Sequence, residues 1–182
     1  DLVVLSEQEV KDANGSGGID KILSLSVEVR HNLGSAVTGG VDADITVGTP
    51  VFNSSSSEGG LSEAARWTQD ITPDSVSGLE VGDIFQSWLA IDGPSDELPM
   101  AGELVVPVTA TPVLTALQQA NGVLASSVTR NITVVIPSII DGEIISESTL
   151  EADVGNEKDF PIGLANTGND FSSYRLVIVD DL

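Results

Sequence analysis

Cysteine is absent from this 182-residue chain, so no disulfide braces it and no thiolate can bind a metal or attack a substrate. Histidine occurs once, as His31, which excludes a multi-histidine zinc centre and leaves a single conventional base near neutral pH. Basic residues are scarce as well: 7 Lys and Arg stand against 28 Asp and Glu, a formal charge of −21. A small soluble domain ordinarily carries about 2 to 8 net charges. Such a chain has no basic footprint for a phosphate backbone, and its field repels nucleic acid and anionic lipid, so no nucleic-acid partner is expected. No apolar run is long enough to cross a bilayer as a helix, and no transmembrane segment is expected. Phosphate-binding and dinucleotide glycine motifs are missing, and the serines at 54–57 lack the glycines of a nucleophile elbow. The sequence is therefore read as that of a protein without catalysis.

What remains is rich in Val, Ile and Leu, with 41% hydrophobic residues but only 4% aromatic ones. β-Branched residues pack well on a pleated surface, and the apolar positions alternate. Leu23, Leu25, Val27 and Val29 share one parity, with polar residues between them. Val41 to Val47 resumes the alternation after a turn through Asn32 and Gly34. In the run from 79 to 91, Phe85, Leu89 and Ile91 fall on one parity and Trp88 on the other, which predicts a bulge or a strand buried on both faces. Further strands are expected over 102–108, 131–136, 160–164 and 174–179, and Tyr174, Leu176 and Ile178 share a face in the last. The fold class expected is all-β, built of antiparallel sandwich modules.

Two modules are expected, a β-sandwich domain over 1–107 and a second sandwich or partial module over 112–182, joined where Pro107 and Pro112 interrupt the pattern. Residues 112–128 admit two readings: a helix started by Thr111-Pro112, or a hairpin turning at Asn121-Gly122. Because the sequence opens at Asp1 rather than Met and closes directly after an apolar run, it reads as a segment of a longer protein.

A unit recurs: Val154-Gly155, polar residues, alternating Phe160, Ile162 and Leu164, then Asn166-Thr167-Gly168 and a closing strand with Tyr174. Residues 25–47 repeat it less fully. This pattern resembles the immunoglobulin-like β-sandwich modules of bacterial and archaeal surface proteins, of the CARDB and related adhesion-domain type. The resemblance implies an extracellular or cell-surface location and a structural, adhesive or ligand-presenting role, with neighbouring modules or subunits of a surface assembly or filament as partners. The charge adds an expectation of high salt or divalent cations, which would screen or neutralise the acidic surface.

One stretch invites calcium. In Asp12-Ala13-Asn14-Gly15-Ser16-Gly17-Gly18-Ile19-Asp20, Asp12, Asn14, Ser16, a Gly18 carbonyl and Asp20 match positions 1, 3, 5, 7 and 9 of a calcium loop, which must offer six to eight oxygens around one point. The twelfth position, where a bidentate Glu belongs, is Leu23, and the sequence beyond it reads as strand. A calcium site completed by a distant carboxylate and a polar turn both fit. Smaller acidic sets are Asp42 with Asp44, and Asp92 with Asp96 and Glu97. Trp67 and Trp88 are the residues able to stack on a carbohydrate or another ligand, if either stands outside the core.

Overall fold

The computed structural model describes residues 1–16, 18–28, 40–54, 60–146, 155 and 159–177. In chain order the elements are β1 (Leu2–Val4), α1 (Glu7–Ser16), β2 (Asp20–Glu28), β3 (Val41–Val47), β4 (Val51–Ser54), α2 (Gly60–Ala64), β5 (Thr68–Thr72), β6 (Ser75–Leu79), β7 (Ile84–Asp92), β8 (Gly102–Val113), α3 (Ala116–Ala120), β9 (Val128–Ile136), β10 (Gly142–Ser146) and β11 (Ile162–Asn166). The protein is predominantly β, as the alternation predicts. The larger sheet runs β1-β9-β8-β3-β6, with β4 also paired to β8; the second runs β2-β7-β5, and β10 with β11 forms a third. Among the described residues every pairing is antiparallel except that of β1 with β9.

The two larger sheets share one core. Ile45, Phe52, Leu104, Val106, Ile132 and Val134 point inward from the first, and Ile71, Leu89 and Ile91 meet them from the second. Period-two alternation makes this possible, because each strand gives its apolar set to one face only. α1 extends the core with Val10 and Ala13, joined by Leu5 and Ile19 from its flanks. It is started by a capping box: Ser6 Oγ accepts from the Glu9 backbone N–H at 3.2 Å, and Glu9 Oε2 accepts from the Ser6 backbone N–H at 2.8 Å.

The joint expected between 107 and 112 falls inside β8, which runs unbroken and pairs with β9 from Gly102 to Ala110. Both prolines sit where a missing donor does no harm. Pro107 accepts from the Gly48 N–H at 2.8 Å, so its donor-less nitrogen faces the break between β3 and β4. The approach demands glycine, since a side-chain carbon at Gly48 would lie 2.9 Å from Pro107 Cγ. Pro112, on the opposite parity, turns its nitrogen past Val128, where β9 begins. Sequence on both sides of the expected boundary thus builds the same sheet.

One open reading is decided and two expectations about single strands change. Of the two readings of 112–128 the helix forms, as α3, started not at Thr111-Pro112 but at Thr115, which accepts from the Gln118 N–H while Gln118 reaches back to the Thr115 N–H, with Asn121 as C-cap. Strand β7 pairs with β2 in unbroken register and has neither a bulge nor two buried faces: Ser87, Leu89 and Ile91 point inward and Trp88 outward. Tyr174 to Val177 carry no strand, and the rest of that expected strand lies outside the described residues, as do Val29, Val154 and His31.

Asn169 ties the β10–β11 hairpin to the two-sheet body, and Ser138 Oγ adds a bond to Asp170 Oδ2 at 2.9 Å. Asn169, 8% exposed, accepts from the Ile139 N–H at 2.6 Å through Oδ1 and donates from Nδ2 to the carbonyls of Pro99 at 2.9 Å and Pro137 at 3.0 Å. Its backbone adds bonds to Ala101 and Ile139.

Candidate functional site

The calcium-loop geometry expected of Asp12, Asn14 and Ser16 is not formed, because all three belong to α1. A calcium loop needs a backbone that wraps around the ion, whereas the backbone here is helical over 7–16. Asp12 Oδ1 accepts from Gln8 Nε2 at 2.7 Å, one helical turn back. Gly18 lies beyond the helix, with a φ of 84 that turns the chain against Gly93 to Ser95, and Asp20 opens β2 directly opposite Asp92. Among the described residues no three His, Asp or Glu side chains converge to hold a metal ion.

The other acids are distributed rather than gathered. Asp42 accepts from the Gly78 N–H at 2.8 Å and so fastens β6. Asp96 pairs with Arg66 at 3.0 Å, which lowers its pKa. Arg66 also meets Glu63 at 2.8 Å. Burial opposes the Arg66 charge, but the hydrogen bonds to Asp96 and Glu63 outweigh it and raise its pKa. Glu63 is only 1% exposed, and its Oε1 accepts from Trp67 Nε1 at 3.3 Å and the Met100 N–H at 3.1 Å. A buried carboxylate with these partners is a structural clasp between α2 and the 96–100 turn.

That clasp settles the position of Trp67, which is 3% exposed, and it cannot stack on a ligand. Trp88 is 48% exposed on the outer face of the β2-β7-β5 sheet, opposite Ser24 on one side and Thr72 on the other. It is the one of the pair with an open ring. The local cause is parity: Leu89 and Ile91 fix which side of β7 is core, so Trp88 must face away.

A cleft of about 1230 Å³ also opens between the sheets, lined by aliphatic residues such as Val41, Ala43, Ile45 and Val128, with Glu28, Glu80 and Arg130 among them. The chain matches no protein-family model and no curated protein.

Proposed function

We propose that this chain is an immunoglobulin-like β-sandwich module of an extracellular surface or filament protein, structural or adhesive in role and without catalysis. The observation that carries the reading is the β10–β11 hairpin. Ile144 and Ile145 fall on its opposite faces and are each 58% exposed, while Leu164, directly across from Ile144, is also open. Two strands alone are marginally stable in water, and apolar side chains open on both faces favour burial against something further. Phe160, Phe171 and Leu176 extend the exposed apolar surface along the same part of the chain.

In this reading the sandwich is the rigid body and the hairpin is the contact, laid against a neighbouring module or subunit. Charge sets the condition for contact. Copies at −21 repel one another until salt or divalent cations screen them. The test is sedimentation velocity with negative-stain microscopy, from low to molar salt, on the wild type and an Ile144→Asp/Leu164→Asp double variant. The wild type should assemble as salt rises, and the double variant should stay monomeric with an unchanged sandwich by circular dichroism. A wild type that remains monomeric at every salt, or a double variant that assembles equally well, refutes the reading.

A further inference from the structure

We propose that the outer face of the β2-β7-β5 sheet is a binding platform for a neutral oligosaccharide, centred on Trp88. This goes beyond the assembly role of the hairpin and uses none of its residues.

The face is regularly paired, and among the described residues no element packs across it. β2 and β7 run in register over nine residue pairs from Asp20 opposite Asp92 to Glu28 opposite Ile84, and β5 adds five more pairs on the other side. Trp88 stands at the centre, and its nearest neighbours are small: Ser24 and Thr72 directly across, Ala90 two positions along. Cross-strand neighbours lie about 5 Å apart, so the indole rises above hydroxyl and methyl groups. At 48% exposure it leaves roughly 100 Å² of aromatic surface open to water. No core function explains the residue, because it lies on the side away from Leu89 and Ile91.

What surrounds the ring selects the ligand. Gln86 and Ser26 on one side of the centre and Asp70 on the other are exposed polar groups on the same face, and all can accept hydrogen bonds. Asp20 and Asp92 close one end of the sheet and Glu28 lies at the other. A pyranose has a C–H face suited to stacking on an aromatic ring and an edge of hydroxyl donors suited to acceptors such as these. The carboxylates repel uronates and sulfated sugars, so among glycans the face favours neutral ones. Exposed Ile22 and Ile84, on the same face as Trp88, offer apolar contact to sugar rings beyond the central one.

The experiment is calorimetric titration of the purified chain with cellohexaose, xylohexaose, mannohexaose, maltohexaose and chitohexaose, and with hexagalacturonate as the anionic comparison. At least one neutral hexasaccharide should bind saturably and quench tryptophan emission, and hexagalacturonate should not bind. Trp88→Ala should weaken binding at least tenfold, and Trp88→Phe, which keeps a smaller ring, should weaken it less. Both variants should match the wild type in circular dichroism, since the side chain lies outside the core. The proposal is overturned if none of the neutral sugars binds, or if Trp88→Ala binds as the wild type does. It is also overturned if Trp88 governs only self-association in sedimentation, which would assign the face to a protein contact.

Discussion

Replacing Asn169 with alanine should release the C-terminal hairpin while the sandwich stays folded. The side chain makes three hydrogen bonds, to the Ile139 N–H and to the carbonyls of Pro99 and Pro137. An intramolecular hydrogen bond is worth about 1 kcal/mol net, and a buried N–H left alone costs about 1–3 kcal/mol. Ile139 is 5% exposed, so water cannot readily replace the lost acceptor. Together these terms give about 3 to 4 kcal/mol, which at about 1.4 kcal/mol per decade lowers amide protection by roughly 10²–10³. Hydrogen exchange resolved by mass spectrometry reads the effect directly, on peptides covering 139–146 and 160–170, with 104–108 and 132–136 as sandwich references. The loss should be confined to the first two. Asn169→Asp supplies a sharper comparison, because it keeps an acceptor for Ile139 but turns a carboxylate oxygen toward two carbonyls. Burial and that repulsion raise the pKa of the new carboxyl in the folded state, so the variant is least impaired below its unfolded pKa and worsens as pH rises. Protection in 139–146 that is unchanged within roughly threefold in Asn169→Ala would refute the reasoning, since it would mean that packing, not this amide, holds the hairpin.

Two other perturbations test the electrostatics. Glu9 is held at a pKa of about 2 against an ordinary 4.5, by its hydrogen bond to Lys21 and then by those from Ser6. A depressed carboxylate contributes stability that is present above its unfolded pKa and lost as pH falls through the folded one, so Glu9→Gln should cost about 1 kcal/mol at neutral pH, after allowance for its exposure, and flatten the acid limb between pH 4.5 and 2 in urea titrations; an unchanged acid limb counts against the assignment. Asp20 and Asp92 face each other across β2 and β7, where like charges about 5 Å apart cost roughly 0.5 kcal/mol at low salt, so Asp92→Asn should raise stability by about that amount and the gain should vanish in molar salt; a gain that persists there has another origin.

The sheets were largely legible in the sequence, because alternation is local. Val41 to Val47 has the bounds that its pattern predicts, and the strand read from Leu23 needs only three residues added at its start. β8 was harder, since two prolines argue for an interruption and only the arrangement of neighbouring strands shows that neither nitrogen faces a partner that needs a donor. α1 did carry a signal, Ser6-x-x-Glu9, but the oxygen spacing of 12–20 competes with it and reads as a loop. α3 carried one too in Thr115-x-x-Gln118, set against the hairpin dipeptide that became its C-cap. At the candidate site, the two tryptophans are alike in composition and opposite in placement. The parity of Leu89 and Ile91 already puts Trp88 outside, whereas the burial of Trp67 depends on Glu63 and on Met100, far along the chain. Asn169 had no sequence signal, because a polar residue in a turn looks the same whether it faces water or bridges two units.

The scarce cations show how so acidic a chain holds its connecting pieces in place. Lys21 joins β2 to α1 through Glu9, and Arg66 joins the end of α2 to the turn that carries Asp96. Neither ion pair lies within a sheet, where backbone ladders and apolar packing already fix the geometry; each fastens a segment with little ladder of its own. Salt therefore acts in two directions. It relieves the repulsion among the many surface carboxylates and favours the compact state, while it weakens the partly exposed Glu9–Lys21 pair and spares the buried Glu63 end of the Arg66 clasp. With 28 acids against 7 bases the first effect should dominate, so the urea midpoint of the whole fold should rise from low to molar salt even while α1 is held less firmly; a midpoint that stays put refutes this balance.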